Sequence, residues 1–293
     1  MQNKLPVSVI IVSFNTKDLT RKALRALYNS GKLPEQVIVV DNGSKDGSAE
    51  MVKQEFPQAL VIASQENLGF AKGNNLGIKQ LATQPYIWLL NSDTETGRNS
   101  LEQLAAYMEN HMEVGALGPQ MVYPNQELQS AGGFFPSIAN VFYYLFPVAF
   151  FLPKSWRKKL RSIAVFPQPI PAQGMDLDYI TGAAALLRRS ALDQAGLMPE
   201  DYFMYFEETD MCWRMKKAGW KMRAINVEPV MHVYGGSFKT KHDPRRLKLF
   251  QESLAKFVRK NYAGWKKFVI LAEIFLFGRS SIFLKRLKEW LIV

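Results

Sequence analysis

The sequence predicts an α/β fold built on an open, mostly parallel sheet flanked by helices. Three observations point there. Short β-branched runs alternate with amphipathic stretches of helical length through the first half. The first run, Val7–Phe14, is apolar without period-two alternation, as in a strand buried on both faces. Polar clusters follow the strands at their carboxyl ends, where open parallel sheets bind ligands.

The elements follow in order. Val7–Phe14 is succeeded by a helix over Asp18–Ser30, with Leu24, Leu27 and Tyr28 on one face. Val37–Val40 is a second strand ending at Asp41, and Ser48 is placed to cap a helix running to Glu55. Leu60–Ala63 is a short third strand, and a Gly/Asn-rich turn leads to a helix near Asn74–Leu81. Tyr86–Leu90 is the fourth strand. Ser100 and Gln103 then read as a capping box ahead of Leu101, Leu104, Ala105 and Met108.

The 293 residues carry 37 Lys+Arg and 26 Asp+Glu, with 47% hydrophobic and 22% charged residues, which excludes disordered and low-complexity classes. One cysteine, Cys212, rules out an internal disulfide and makes a reducing compartment the expectation; the N-terminal apolar run reads as a strand, not a signal peptide. The charge is uneven. Residues 239–293 hold 14 Lys/Arg against 4 Asp/Glu, net +10, while the remaining 238 residues are net +1. With Phe268–Phe277, this predicts a basic amphipathic tail on an anionic membrane surface, the alternative being a core helix beside a solvated basic face. An uncharged stretch from Leu128 to Pro153, followed by the basic knot Lys154–Arg161, reads in the same two ways, and neither is continuous enough to span a bilayer. No nucleic-acid motif accompanies the basic residues, so a nucleic-acid partner is not expected.

The turn after the first strand, Ser13–Asp18, has no glycine, and no G-x-x-x-x-G-K-[ST] occurs, which disfavours dinucleotide and P-loop chemistry. Asp41, followed by Asn42-Gly43-Ser44, sets a carboxylate where it can accept the imide N–H of uracil or thymine, or else close an Asx-turn. The segment Asn67–Asn75 supplies glycines for close backbone approach and amides for ribose or phosphate. Asn91-Ser92-Asp93 ends an apolar strand with a hard oxygen ligand for Mg²⁺ or Mn²⁺ on a diphosphate, and His232, before a small-residue turn, can complete that site. Glu207, Glu208 and Asp210 sit among large aromatics, where a carboxylate's pKa rises toward that of a general base. One of them reads equally as helix-dipole compensation, and Arg214 is spaced to pair with Asp210.

This ordered set resembles the inverting family 2 glycosyltransferases of the A fold, most of all the rhamnosyltransferase-like branch that builds O-antigen and other bacterial cell-surface polysaccharides. Val9–Asn15 resembles the family's opening strand and base-binding turn, which implies donor contacts at Ser13 and Asn15. Asp41 stands in the pyrimidine-reading position. Asn67, Gly69, Gly73 and Asn74 fall in the nucleoside-contacting segment, and Asn91, Ser92 and Asp93 replace the D-x-D metal motif with one aspartate. Thr181-Gly182-Ala183 is similar to the acceptor-side T-G-A loop and Phe206–Arg214 to the E-D-x-D-L-x-x-R catalytic segment, which implies catalytic roles for Glu207, Glu208 and Asp210 and an acceptor-side role for Arg214, and His232 is similar to the late metal-end histidine. Two departures stand out: Glu208 occupies the usual second aspartate, leaving the base open between Glu207 and Glu208, and Gly196–Asp201 differs from the usual glycine-phenylalanine-aspartate turn.

The resemblance implies a divalent-cation-dependent enzyme of two halves (about 1–120 and 121–238), with the tail at 239–293. Its donor would be dTDP-rhamnose or a UDP-hexose and its acceptor a lipid-linked glycan, with the enzyme peripheral on the cytoplasmic face of the plasma membrane. A nucleotidyltransferase and a non-catalytic nucleotide-binding scaffold are the competing readings. The first would not need the acidic-aromatic cluster, and the second predicts that Asp93, Glu207 and Glu208 are dispensable.

Overall fold

Strand β1 (Leu5–Ser13) carries Val7, Val9 and Ile11 to one face of a sheet and Ile10 to the other, all completely buried, so both faces must be covered. A computed structural model shows how; it describes residues 4–145, 168–233 and 244–292. The first half runs α1 (Lys17–Tyr28), β2 (Pro34–Asp41), α2 (Ser48–Glu55), β3 (Leu60–Ala63), α3 (Gly69–Gln80), β4 (Tyr86–Asn91), β5 (Thr94–Glu95) and α4 (Ser100–Asn110). It continues through β6 (Val114–Val122), β7 (Leu128–Gln129), β8 (Gly132–Gly133) and α5 (Ile138–Leu145). After the gap come β9 (Met175–Leu177), β10 (Tyr179–Ile180), β11 (Ala184–Arg188), α6 (Arg189–Ala195), α7 (Glu207–Lys217), β12 (Lys221–His232), α8 (Pro244–Asn261) and α9 (Gly264–Ile292).

The sheet order is β3-β2-β1-β4-β11-β6-β12-β5, with β7 on β6 and β9 on β12, while β8 and β10 pair separately. The β1–β2, β1–β4, β2–β3 and β6–β12 pairings are parallel, and β11 runs antiparallel between β4 and β6. Six strands therefore share one direction, as the alternating pattern predicts. One face packs on α1, α2 and α4 through Leu24, Leu27, Met51, Val52, Leu101, Leu104 and Met108. The other packs on α3, α6 and α7 through Ala71, Ile78, Leu192, Met211, Cys212 and Met215.

Two helix starts differ from expectation, and α3 begins earlier than predicted. At α4 no side chain caps the helix. Ser100 Oγ instead donates to the Glu228 carbonyl at 2.8 Å, and Gln103 Oε1 accepts from Glu228 N–H at 2.9 Å, so the capping-box residues fasten α4 to β12. At α2 the first-turn amide of Ser48 is taken by Asp46 Oδ1 at 3.1 Å, the acceptor lying two residues upstream. Helix α3 starts at Gly69, five residues before Asn74, because Asn67 Oδ1 accepts the Gly69 N–H at 2.9 Å and Gly69 takes φ +79°.

Helices α8 and α9 pack on the body. Leu254, Phe257, Val258 and Ile270 form a third hydrophobic core with Val141 and Leu145 of α5 and with Tyr202 and Phe206 ahead of α7. The Phe268–Phe277 segment thus has one face in a core and one outside. The basic knot Lys154–Arg161 lies outside the described residues.

Candidate functional site

The carboxyl ends of β1, β2 and β4 meet where α1, α2 and α3 begin. Asp41 pairs in register with Ser13 on one side and Ala63 on the other, which fixes its carboxylate at the sheet edge, 4% exposed. Its Oδ2 accepts the Ser44 N–H at 3.0 Å, the Asx-turn, while Oδ1 is buried with no hydrogen-bond partner. A buried carboxylate oxygen without a donor is costly, about 1–3 kcal/mol, unless a ligand supplies one. Asn42, not singled out in the sequence, repeats the pattern. Its Nδ2 donates to the Gly69 carbonyl at 3.0 Å, and its Oδ1 is buried without a partner.

Asn15 adopts φ +53°, accepts the Lys45 N–H on Oδ1 at 2.8 Å, and donates its own N–H to Ser44 Oγ at 2.9 Å, tying the first turn to the second. Ser13 is buried against Thr20 Oγ1 at 2.9 Å, and Thr16 Oγ1 donates to Ser92 Oγ at 3.0 Å. Gly73 and Asn74 point inward. A Cβ at Gly73 would lie 2.9 Å from Val12, and Asn74 Nδ2 bonds back to the Phe70 carbonyl at 3.0 Å.

Antiparallel pairing of β5 with β12 puts His232 opposite Thr94, and with it His232 Nε2 3.2 Å from Asp93 Oδ1. Gln129, which carried no local sequence signal, orients the ring. Its Nε2 donates to the His232 carbonyl at 2.5 Å, so its Oε1, 3.0 Å from Nδ1, faces the ring and requires the proton there. Nε2 is left facing the Asp93 carboxylate, with Asn91 Nδ2 at 3.3 Å. The 3.2 Å between Nε2 and Asp93 Oδ1 is close to the roughly 3 Å expected of adjacent ligands on an octahedral cation with bonds of about 2.1 Å. The donor set therefore fits Mg²⁺ or Mn²⁺. Among the described residues no group of three or more His, Cys, Asp or Glu side chains gathers for a metal, so remaining positions fall to water or a ligand's oxygens.

Facing this edge is the start of α7. Tyr205 and Phe206 both take left-handed backbone, φ +68° and +70°, a strain of about 1–3 kcal/mol each. Ring packing holds them there, Phe206 tilted against Phe250 and Phe257, and Tyr205 edge-to-face with Phe250. The turn delivers Glu207 and Glu208 side by side. Glu207 is 5% exposed and Glu208 half-buried, and each has an Oε2 without a partner. Burial pushes both carboxyls upward, and the neighbouring Glu208 charge raises Glu207 further. The Gly182 N–H of the T-G-A loop bonds the Glu208 carboxylate and partly offsets its shift. Gly182 itself has no room for a side chain, since a Cβ would sit 2.8 Å from the Phe70 ring of α3. Thr181 N–H donates to the Ala131 carbonyl at 3.0 Å and the Ala183 carbonyl accepts from Asn91 N–H at 3.0 Å. This loop joins the strand-end cluster to the acid pair.

Asp210 is fully buried and surrounded by donors: Tyr202 Oη at 2.9 Å, Lys260 Nζ at 2.9 Å, Arg214 Nε at 3.2 Å and Asn261 Nδ2 at 3.3 Å. Burial works to raise its pKa, but Lys260, Tyr202 and Asn261 outweigh it and hold it below the ordinary carboxylate value. Arg214 also donates to the Leu197 carbonyl at 2.5 Å and to the Ala195 carbonyl, fixing α7 to the Gly196–Asp201 turn.

Unpartnered acceptors at the strand ends lie beside an acid pair, and the chain belongs to glycosyl transferase family 2, whose sequence profile matches residues 8–196. It is 28% identical over 276 residues to the N-acetylglucosaminyl-diphospho-decaprenol L-rhamnosyltransferase of Mycobacterium tuberculosis, covering 90% of this chain and 87% of that one. In fold it is similar to the Pyrobaculum calidifontis mannosyltransferase in complex with GDP-Man and Mn²⁺, with TM-score 0.60 at 18% identity, covering 97% of this chain and 73% of that one. It is likewise similar to residues 1–349 of S. aureus TarS in complex with UDP, TM-score 0.56 at 17% identity, covering 92% and 70%. The fold is that of the A-type glycosyltransferases, and the chain is an enzyme of that class.

Proposed function

We propose that this enzyme moves a sugar, with inversion at the anomeric carbon, from a nucleoside diphosphate to the saccharide of a lipid-linked acceptor in cell-surface glycan synthesis. L-Rhamnose from dTDP-rhamnose is the first donor to test, with UDP-hexoses next. The mycobacterial relative's name supports the rhamnosyl donor and the diphosphate-lipid acceptor. The observation that carries the reading is the continuity from the Asp41–Asn42 strand end, through the Asn42–Gly69 hydrogen bond and Phe70 of α3, to Gly182 and the Glu208 carboxylate.

Asp41 Oδ1 is the acceptor for a pyrimidine imide, and Asn42, Asn15 and the Asn67–Gly69 turn shape the nucleoside pocket around it. Asp93 and His232 would hold the divalent cation, which when bound neutralises charge on the departing diphosphate. Glu208 is the general base, taking the acceptor hydroxyl's proton as that oxygen attacks in line. Its carboxylate meets the Gly182 N–H of the acceptor-side loop, whereas Glu207 is 5% exposed and its own proton affinity is raised further by the Glu208 charge. Asp210 and Arg214 hold α7 in place, and Thr181–Ala183 lines the acceptor side. The enzyme works at the cytoplasmic leaflet, where such lipids present their head groups.

The test is transfer from dTDP-rhamnose or UDP-hexoses to a polyprenyl-diphosphate N-acetylglucosamine. An inverted product is expected, with kcat about 10²–10⁴-fold lower in Glu208→Gln. Retention, or a trapped glycosyl-enzyme adduct, contradicts the scheme; an unaffected Glu208→Gln transfers the role to Glu207.

A further inference from the structure

Helix α9 is apolar on two opposite sides. Its inner side gives Ile270, Leu271, Ile274 and Phe277 to the third core. Its outer side carries Trp265, Phe268, Val269, Ala272, Phe275 and Leu276, spaced by three and four residues and hence aligned in one stripe. Phe268 is 73% and Phe275 77% exposed. A helix against water ordinarily turns charge outward. Between Trp265 and Leu276 the charged residues are Lys266, Lys267 and Glu273. Glu273 is buried on the inner side, and Lys267 Nζ donates to the Arg259 carbonyl at the end of α8 at 2.8 Å.

We infer that this stripe lies flat on an anionic lipid surface, its rings in the head-group boundary. Charge selects the occupant. Residues 239–293 are net +10 and the other 238 net +1, so a second copy would meet like charge while an anionic leaflet meets its opposite. Tryptophan and phenylalanine beside lysine suit that boundary. The stripe is about 17 Å long at 1.5 Å per residue, too short for a hydrocarbon core of about 30 Å, and no helix among the described residues is long and apolar enough to cross a membrane. The purpose of the contact rests on the lipid-linked acceptor proposed above. Through α8, whose Lys260 and Asn261 bond Asp210, the lipid-facing helix is one layer from the helix carrying Glu208. The basic tail is thus the outer wall of the catalytic body, not a detachable anchor.

The experiment is co-sedimentation of the full chain with vesicles of phosphatidylglycerol and phosphatidylcholine, beside Phe268→Ser/Phe275→Ser and Phe268→Trp/Phe275→Trp. The serine pair should lower the partition coefficient about tenfold or more and the tryptophan pair should keep it, with melting temperatures unchanged. Wild-type-like partition of the serine pair overturns the inference. So does a lipid-free dimer that the serine pair splits. The nucleotide-induced rise in melting temperature separates the two proposals. If it occurs without vesicle binding, the lipid surface alone fails; if vesicles bind but no nucleotide stabilises, glycosyl transfer fails and the surface stands.

Discussion

Two buried carboxyls one residue apart are an unfavourable pair that folding must hold together. Glu207 and Glu208 both have raised proton affinity from burial, and Glu207 additionally from Glu208. At low pH the folded and unfolded chains are both protonated there, so the pair has no effect on stability. As pH rises past the ordinary carboxylate pKa, the unfolded chain releases its protons first, and stability falls. Glu207→Gln should therefore raise the melting temperature at pH 8 more than at pH 5; thermal denaturation of the two forms checks it, and an equal or opposite difference removes the burial argument. The same shift makes the transfer rate rise with pH through the ionisation of Glu208. Asp41 and Asp93 stand out in the sequence because each follows the close of an apolar strand run, and His232 because a small-residue turn follows it. Asn42 was overlooked beside Asp41. Gln129 had no signal at all, because the β6–β7 pairing that brings it to His232 leaves no periodic trace.

At the scale of elements, the catalytic helix is held from a distance. Lys260 and Asn261 of α8 reach Asp210, and Ser253 Oγ donates to the Met204 carbonyl at 2.7 Å, so α8 grips the strained turn before Glu207. Lys260→Met removes one of four groups on a buried carboxylate and should cost about 1 kcal/mol or somewhat more by chemical denaturation. If Lys260 positions α7, kcat falls while nucleotide affinity is unchanged; loss of both together, or of neither, denies it that role. Gly182→Ala should lower acceptor turnover, because its Cβ would meet the Phe70 ring at 2.8 Å. The β-α alternation was readable through β4 because each strand is a short apolar run. The helix starts were not, because Glu228 and Asp46 supply partners that Ser100 and Ser48 do not reveal alone.

For the whole molecule, the C-terminal segment has an apolar side in the third core and a second apolar side that is exposed. The excess of cations was plain in the composition, but the division of α9 into a core side and an outer side needed the partner helices α5 and α8. Ending the chain after Asn261 should consequently cost the fold part of its third core and, with it, activity on any acceptor; retained activity would show that α9 is an appendage. The account depends most on the donor site at the strand ends. Its most direct test is the melting temperature with Mn²⁺ and a panel of nucleoside diphosphates. A rise with thymidine or uridine diphosphate, absent in Asp41→Ala and in Asp93→Ala, is the predicted result. No rise with any nucleotide, or a rise that both variants keep, would contradict it.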